Sequence, residues 1–437
     1  MIVIRPHPGM ETGWAIIPFR QDGTTAHPSL RLRRPIMCAT YKIRPLASRE
    51  ANPGIPEIFT TCSSGPISPG QPGNRPRRRP RVRQVGLDVV GIGAVNLDVI
   101  VTAAAASARA DLELLLAGVP GGLDWGAEVF VAESTVYAAV EAVGAAALTA
   151  TLGGSAFNTV HALARLGRDL RLGYVGVAGR VPVPGLSSLA LLDRLGVDRT
   201  HVRTDPATCG LCFSFAAAGE RTMITAAGAN VGLAGHLAGS FDALVGYLAG
   251  ARVVHLAAPL DDHSPARLLA LVHAVRRANP ATLISFDPGH GWSTGPPPAV
   301  RDLLAASDLV LVNQREFAAL GGDGPDEAVA ARLAAGSVSD RLVIAVKRPD
   351  GVLCCRPRSD GVRTEWLARP PLPAAEIHDP TGAGDMFAAG LLAVLATDAT
   401  KHRLGCRLGI ELARHAMRHP GPDRHAALAA ITATVLG

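Results

Sequence analysis

Residues 377–395 read IHDPTGAGDMFAAGLLAVL, a polar, glycine-rich segment that turns directly into an apolar run long enough for a helix. Gly382 and Gly384 allow the backbone to turn tightly and to approach a ligand closely. The N–H groups of the first helical turn have no acceptor within the helix and point toward the same place. The segment therefore predicts an anion-binding helix start.

Asp385 follows these glycines at the start of the predicted helix. It could be an ordinary helix cap, for which aspartate is a favoured residue. It could instead be a general base that takes the proton from an acceptor hydroxyl, while the N–H groups stabilise a transferred phosphoryl group. A carboxylate beside bound phosphate meets like-charge repulsion and needs a reason, yet the segment alone leaves both interpretations open.

Apolar strands and helices alternate along the chain before this segment. The first run, VVGIGAVNLDVIV at residues 89–101, is rich in β-branched residues and predicts a buried strand that feeds a loop. Further strands are predicted at residues 172–177, 253–256, 282–286, 309–312 and 342–346, and helices at residues 156–166, 265–277, 300–306, 314–320 and 326–335. The alternation predicts an α/β fold with a mainly parallel central sheet, helices on both faces, and ligands beyond the carboxyl ends of the strands.

The sequence Gly382-Ala383-Gly384-Asp385 resembles the signature of the ribokinase/PfkB family of sugar and nucleoside kinases. The resemblance implies a ribokinase-like fold with a small lid. It also implies that Asp385 is the catalytic base and that Gly382, Ala383 and Gly384 form the anion hole. In many members the acidic residue and the threonine just upstream help to bind a potassium-like ion. This role would fall to the pair Asp379 and Thr381.

Two further matches concern the acceptor. Gly153-Gly154-Ser-Ala-Phe-Asn158 resembles the family's Gly-Gly…Asn substrate motif, which implies that these glycines and the asparagine bind the acceptor. Asn96 and Asp98 fall where the family places an aspartate that binds sugar hydroxyls, and a carboxylate that accepts two hydroxyl hydrogen bonds orients its ligand strongly. Without the resemblance, Asp98 would be interpreted as a turn residue that ends a strand.

Two segments resemble sequence elements that bind the nucleotide in this family. Asn313-Gln-Arg-Glu316 follows a strand and matches an Asn-x-x-Glu element, which implies nucleotide contact by Asn313 and action of Glu316 on Mg²⁺, through water. The segment from Lys347 to Gly351 occupies the position of a strand and turn near the ATP phosphates. Lys347 is the implied phosphate contact, with a solvated lysine at a strand end as the alternative. The implied cofactors are ATP and Mg²⁺, with K⁺ at the upstream site.

Departures from the family pattern lie near the acceptor pocket. After Gly179 the chain continues RVPVPG where an aspartate is usual, and residues 102–151 are longer and richer in alanine than the lid of many members. The Asp-Pro loop at residues 286–292 lacks its usual nearby arginine. The phosphoryl-transfer motifs are intact, so these departures leave open whether the acceptor is a sugar, a sugar phosphate or a nucleoside.

The first 85 residues differ in composition from the rest of the chain. They hold 13 of the 33 prolines and 14 lysines and arginines against four acidic residues. This composition predicts a disordered basic leader over residues 1–85, either dispensable or a transit peptide. A kinase domain is predicted for residues 86–437, with lid elements at residues 99–150 and 205–227.

Composition also limits the partners. The net charge of +6 belongs to the leader, and aromatic residues are only 4% of the chain, which argues against a nucleic-acid partner. Seven cysteines form no secreted disulfide framework, and Cys209 and Cys212 are interpreted as core thiols rather than metal or redox ligands. No run of 18 uncharged apolar residues is present. We expect a cytoplasmic protein without a membrane partner, and the resemblance adds that lids in this family often pair into homodimers.

Other classes of protein fit the sequence less well. Gly91-Ile-Gly93 follows a strand, as in dinucleotide-binding oxidoreductases, but the third glycine of that motif is missing. A kinase-fold protein that binds ligand without catalysis is opposed by the presence of Asp385 and Glu316. The sequence predicts ATP-dependent phosphorylation of a hydroxyl group on a sugar or related small molecule. A nucleoside kinase and an inactive ligand-binding homologue remain the alternatives.

Overall fold

The computed structural model of the chain describes residues 2–4, 15–17, 86–101, 128–144, 148–217, 220–258, 261–419 and 421–437. Within the predicted leader, strands β1 (Ile2–Ile4) and β2 (Ala15–Ile17) pair antiparallel. The rest of the leader, and residues 102–127 of the predicted lid, lie outside the described residues. The disordered leader therefore stays a prediction.

A nine-stranded sheet forms the centre of the described fold. In spatial order its strands are β16 (Gly361–Ala368), β15 (Gly351–Arg358), β14 (Val343–Arg348), β13 (Leu309–Asn313), β12 (Leu283–Asp287), β11 (Val253–Ala257), β3 (Val89–Ile92), β7 (Leu172–Arg180) and β8 (Asp198–Thr208). The strands from β14 to β8 run parallel, and β15 and β16 extend one edge antiparallel. The predicted mainly parallel sheet is confirmed.

Helices cover both faces of this sheet. Helix α1 (Glu133–Val143) packs on a separate sheet. The helices on the central sheet are α2 (Ser155–Arg165), α3 (Ser188–Arg194), α4 (Leu233–Gly239), α5 (Phe241–Ala249), α6 (Ser264–Ala278), α7 (Gly289–Ser293), α8 (Pro298–Ala305), α9 (Gln314–Gly321), α10 (Asp326–Ala334), α11 (Ala383–Leu395), α12 (His402–Arg418) and α13 (Leu428–Leu436). Because successive strand residues face opposite sides, Val89 packs in one apolar layer with α2, α11 and α12, and Val90 in the other with α4, α5 and α6. None of these described helices is long and apolar enough to span a membrane.

A second sheet of five strands carries one helix of its own. Its order is β5 (Glu128–Phe130), β10 (Glu220–Ala226), β9 (Gly210–Ala217), β4 (Asn96–Val101) and β6 (Leu148–Gly153). Leu97 and Phe213 pack with Val136 of α1 in a separate apolar layer. Cys209 and Cys212, at the start of β9, are buried free thiols. The segments predicted for a lid supply strands of this sheet, and its action as a lid stays a prediction.

The prediction of one strand over residues 89–101 is wrong. The run divides into β3 and β4, which belong to different sheets. The chain leaves the central sheet at Gly93, where an added Cβ would lie 2.9 Å from the Cβ of Ala156. Asp98 consequently lies inside β4, opposite Thr151 of β6, rather than in a turn at a strand end. Both strands are buried, so the apolar run continues across the break and its pattern does not reveal it.

Helices α11 and α12 cross at very short range. A Cβ added at Gly390 would lie 2.5 Å from the main-chain N of Gly409. One added at Gly409 would lie 2.6 Å from the main-chain O of Phe387. Neither glycine can carry a side chain unless the helices separate. The crossing holds α11 firmly in the core, and the first turn of this helix forms part of the candidate site.

Candidate active site

Asp385 lies in the first turn of α11, and two side chains of α2 hold its carboxylate. The Ser155 hydroxyl donates to Oδ1 at 2.6 Å, and the Asn158 amide Nδ2 donates to Oδ2 at 3.0 Å. The Thr159 hydroxyl donates to the main-chain O of Asp385 at 3.4 Å. Both carboxylate oxygens are thus oriented by α2, and Asn158 from the predicted acceptor motif contacts the predicted base directly.

The environment of Asp385 suits a base that works near neutral pH. Burial raises the pKa of its carboxyl from 3.8 to about 6, against the opposing hydrogen bonds from Ser155 and Asn158. The nearby Asp287 raises this pKa further, and Lys347 lowers it. A group with such a pKa is ionised at pH 7.5, yet it binds a proton more tightly than an exposed aspartate does.

The backbone before Asp385 forms the predicted glycine turn. Gly382 caps α11 in the left-handed region at φ 75°, a conformation that favours glycine. The Ala383 N–H donates to Pro380 O at 3.2 Å, so this group of the predicted anion hole is used within the turn. The N–H groups of Gly384 and Asp385 follow in the first helical turn, where the helix itself offers no acceptor.

A lysine stands beside this helix start. The Nζ of Lys347, near the end of β14, lies 3.3 Å from the position that a Cβ on Gly384 would take. Nζ also donates to Asp287 Oδ2 at 3.0 Å. Burial alone would lower the pKa of Lys347, but the carboxylates of Asp287 and Glu316 outweigh it and raise the pKa. Lys347 is therefore a cation at the predicted phosphate position.

Asn313 and Glu316 form a reciprocal capping box at the start of α9. The Glu316 N–H donates to Asn313 Oδ1 at 2.9 Å, and the Asn313 N–H donates to Glu316 Oε2 at 2.8 Å. Burial, followed by the charge of Asp287, raises the pKa of Glu316 to about 7. Mg²⁺ is usually held by one or two carboxylates together with phosphate oxygens and waters, and Glu316 and Asp287 fit this donor set. Groups of three or more metal-ligating side chains are absent from the described residues.

Gly351 has a structural explanation in the hairpin between β14 and β15. Its φ is 150°, and an added Cβ would lie 2.3 Å from the main-chain O of Leu367 on β16. The glycine thus permits close packing of the antiparallel edge strands. The hairpin places Lys347 opposite Val352 in the strand register. Contact of Gly351 with a nucleotide stays a prediction.

The predicted acceptor residues meet where β4, β6 and α2 come together. Asn96 Oδ1 accepts a hydrogen bond from Asn230 Nδ2 at 2.9 Å. A Cβ on Gly153 would lie 1.9 Å from Oδ2 of Asp98, so only glycine admits this carboxylate. Gly154 caps α2 at φ 107°, and a side chain there would clash with the main-chain O of Ala94. Burial raises the pKa of Asp98 to about 7, although Arg424 and Arg221 lower it.

A cavity of about 400 Å³ opens between the second sheet and the carboxyl ends of the central strands. Its lining includes Asn96, Glu128, Phe130, Ser155, Asp287 and Trp292. Ser155 both lines the cavity and donates to Asp385, so one side chain separates the cavity from the predicted base. Its volume falls within the usual range for small-molecule sites.

Asp379 and Thr381, the predicted monovalent-cation ligands, lie against a buried arginine. The Thr381 N–H donates to Asp379 Oδ1 at 2.8 Å. Arg424 Nη1 donates to the main-chain O of Thr381 at 3.0 Å, and Nη2 lies 3.6 Å from Asp379 Oδ2. The guanidinium therefore contacts both residues of the predicted cation pair.

Sequence reasoning missed three side chains of the site. Ser155 lies inside the glycine-asparagine motif and Asp287 inside the Asp-Pro loop, so closeness to a motif was an available signal for both. Arg424 lies in a short 3₁₀ helix, residues 421–425, far along the chain from the glycine turn that it contacts. Nothing in its local sequence indicates this contact.

The described fold is a ribokinase-like α/β fold. Adenosine kinase from Sinorhizobium meliloti superposes with a TM-score of 0.64 at 21% identity, over 80% of this chain and 99% of that one. Ribokinase from Giardia lamblia superposes with a TM-score of 0.59 at 17% identity, over 79% and 98%. Identities this low show the fold alone.

Sequence comparison identifies the family. Residues 129–426 match the pfkB family carbohydrate kinase, and the chain belongs to this family. A cytidine kinase from Thermococcus kodakarensis is 34% identical over 122 residues, which is 28% of this chain. The matched part spans 41% of that curated relative. The family predicted from the Gly382–Asp385 motif is confirmed.

Proposed function

We propose that the chain is an ATP-dependent phosphotransferase that phosphorylates a hydroxyl group of a sugar or related small molecule. The observation that carries the proposal is the carboxylate of Asp385, which is oriented by Ser155 and Asn158 and stands at a helix start beside Lys347. A cap would need none of these contacts. A general base needs an oriented carboxylate within reach of an acceptor, and the cavity lined by Ser155 provides the place for it.

In the proposed reaction, Asp385 takes the proton of the acceptor hydroxyl while the hydroxyl oxygen attacks the γ-phosphorus of ATP. The bond between this phosphorus and the bridging oxygen of ADP breaks, and ADP leaves with that electron pair. Lys347 and the first-turn N–H groups of α11 stabilise the charge on the transferred group. Glu316 and Asp287 would hold Mg²⁺, which would supply further positive charge to offset that of the phosphates.

Asp98 is proposed to orient the acceptor. Its carboxylate is buried against Gly153, which comes just before the helix whose Ser155 and Asn158 hold Asp385. Hydroxyl groups that donate to a carboxylate favour its ionised form. Bound acceptor would therefore lower the pKa of Asp98 from about 7 and hold this carboxylate ionised.

The pH dependence of kcat/KM should report both carboxylates. Asp385 must be ionised to accept a proton and Asp98 to accept hydroxyl hydrogen bonds, and their free-enzyme pKa values are about 6 and about 7. We expect kcat/KM to be constant above pH 8 and to fall as pH decreases through 7 and then 6, with the slope steepening. Initial rates at subsaturating acceptor between pH 5 and 8.5 measure it. A flat profile down to pH 5.5 contradicts these roles.

A nucleoside is the second candidate acceptor, and an aromatic side chain favours it. Phe130 is 48% exposed and lines the cavity, as does Trp292. A Cβ on Gly291 would lie 3.2 Å from Cε2 of Phe130, so the ring packs over the short helix α7. An exposed aromatic face in the cavity suits stacking on a nucleobase.

Exchange of Phe130 for alanine separates the two acceptor classes. If the acceptor is a nucleoside, loss of base stacking should raise its KM by about tenfold, which matches roughly 1–3 kcal/mol per stacked base. The KM of a free sugar acceptor should change by less than about twofold. A coupled assay of ATP consumption across sugars, sugar phosphates and nucleosides first identifies the acceptor. An unchanged KM for an active nucleoside would remove Phe130 from its binding site.

A binding protein without turnover is the remaining class. Calorimetric titration of ATP and acceptor candidates, run beside the turnover assay, distinguishes it from an enzyme. Ligand affinity without ATP consumption in any acceptor class would identify an inactive homologue and overturn the proposed reaction.

A further inference from the structure

Arg424 is one of the most deeply buried cations among the described residues, at 3% exposure. Its Nε donates to Gly421 O at 2.9 Å, and its Nη1 donates to Thr381 O at 3.0 Å. Nη1 also lies 2.6 Å from the position that a Cβ on Gly382 would take. The guanidinium therefore rests directly against the glycine turn that leads into α11.

The same guanidinium balances the buried carboxylate of Asp379. Nη2 lies 3.6 Å from Asp379 Oδ2, and both atoms lack a hydrogen-bond partner among the described residues. These two atoms therefore interact mainly through the attraction between their opposite charges. A buried carboxylate is costly unless a positive charge stands close to it. Arg424 supplies this charge from within the chain.

These contacts conflict with a monovalent cation at Asp379 and Thr381. A cation held by this pair would need the Asp379 carboxylate and an oxygen of Thr381, and Arg424 already contacts both residues. Two positive charges a few ångströms apart in a buried site repel each other strongly. Arg424 therefore already engages the Asp379 carboxylate and the Thr381 carbonyl, which leaves the buried and unpartnered Thr381 Oγ1 as the remaining side-chain oxygen of the pair. One free hydroxyl beside a guanidinium does not fit K⁺.

We infer that Arg424 takes the place of the monovalent cation and acts as the positioning residue of the phosphate turn. It fixes the Thr381 carbonyl and the backbone at Gly382, and through them the first-turn N–H groups that receive the transferred phosphoryl group. Catalysis by this chain is then independent of K⁺. The inference rests on the proposed phosphoryl transfer for its consequence, but not for its test, because cation binding can be measured without an acceptor.

The wild-type protein provides the first test. Its thermal unfolding midpoint is measured in potassium chloride and in choline chloride at equal ionic strength, and its turnover with the acceptor from the screen is measured in the same two salts. We expect midpoints that agree within about 1 °C and rates that agree within about twofold, because a ligand that does not bind shifts neither. A severalfold stimulation of turnover, or a higher midpoint in potassium chloride, overturns the inference.

Exchange of Arg424 for alanine should create a cation requirement. The variant loses the buried charge and opens space beside Asp379 and Thr381, so potassium chloride should raise its unfolding midpoint by about 3 °C or more over choline chloride. Without K⁺, the kcat of this variant should be at least about tenfold below that of the wild type, with KM little changed. Addition of K⁺ should raise the kcat of the variant at least about threefold. Arg424→Lys, which keeps a positive charge, should retain more turnover without K⁺ than the alanine variant.

Arg276→Ala is the matched control. Arg276 also pairs with a buried carboxylate, since its Nη2 lies 3.0 Å from Asp308 Oδ2, and it belongs to α6 outside the site. This variant should lose stability without gaining any response to K⁺. An equal K⁺ response in both alanine variants, or none in Arg424→Ala, contradicts the inference.

If Arg424→Ala does not fold, the wild-type salt comparison and the lysine variant decide. Absence of turnover with every acceptor would instead contradict the proposed function, and the midpoint comparison would still decide the role of Arg424.

Discussion

Exchange of Asp385 for asparagine is expected to lower kcat by about three orders of magnitude, within the range attributed to general acid–base catalysis. The asparagine can keep the geometry, because its amide N can donate to Ser155 and its amide O can accept from Asn158. What it loses is the ability to take a proton. Dissociation constants of ATP and acceptor should therefore stay within about threefold of the wild-type values. Steady-state kinetics and calorimetric titration measure the two effects separately.

The control for this exchange is Asp302→Asn. Asp302 is an exposed aspartate on α8, so the same change of charge there should leave kcat unaltered. Turnover of Asp385→Asn within tenfold of wild type would remove Asp385 as the base and return it to the role of a helix cap. A large loss of affinity instead of kcat would indicate that the carboxylate serves binding.

Exchange of Gly390 for alanine should destabilise the protein by about 1–3 kcal/mol, the usual cost of overpacking a core. The new Cβ would lie 2.5 Å from the backbone N of Gly409, and backbone cannot move aside as a side chain can. The helices α11 and α12 must then separate. Because α11 carries Asp385 in its first turn, kcat should also fall. Urea unfolding followed by circular dichroism, together with kinetics, measures both effects.

The matched variant is Gly246→Ala on the exposed side of α5. No atom lies within 4 Å of the Cβ position there, and its backbone is helical. Alanine should stabilise this helix by about 0.5–1 kcal/mol relative to glycine. The two substitutions are chemically identical and should have opposite signs. Equal stability of Gly390→Ala and the wild type would show that a Cβ fits between the two helices, contrary to this prediction.

Six central strands were predictable because they are short apolar runs that alternate with helices, whereas the edge strands β8, β15 and β16 were not predicted. The second sheet was not predictable, since β4 continues the apolar run of β3 and the break at Gly93 depends on contact with Ala156. A tertiary contact of this kind leaves no local pattern. The position of Asp98 was not predictable for the same reason. The sequence allowed Asp98 to be a turn residue, whereas it pairs inside a strand.

The candidate site divides in the same way. Asp385 and Lys347 stand in segments whose glycines and strand ends are visible in the sequence, and the structure places the lysine beside the glycine turn. The hydroxyl that orients the base, from Ser155, and the guanidinium of Arg424 come from other parts of the chain. These hydrogen bonds join residues 230 and 43 positions apart and depend on how distant segments pack, which no spacing rule gives.

The short connection between β3 and β4 is one of the points at which the second sheet is attached to the central sheet. Residues 93–95 join the sheets, and Ala94 is pinned there because its carbonyl accepts from the Tyr174 hydroxyl at 2.8 Å. Any rotation about this pivot moves Asn96, the first residue of β4, through a short arc. It moves Phe130 through a long one, because β5 lies three strand positions away, roughly 14 Å at usual strand spacing. The end of the cavity beside Asn96 is thus the end near the connection, and the end beside Phe130 is the one far from it.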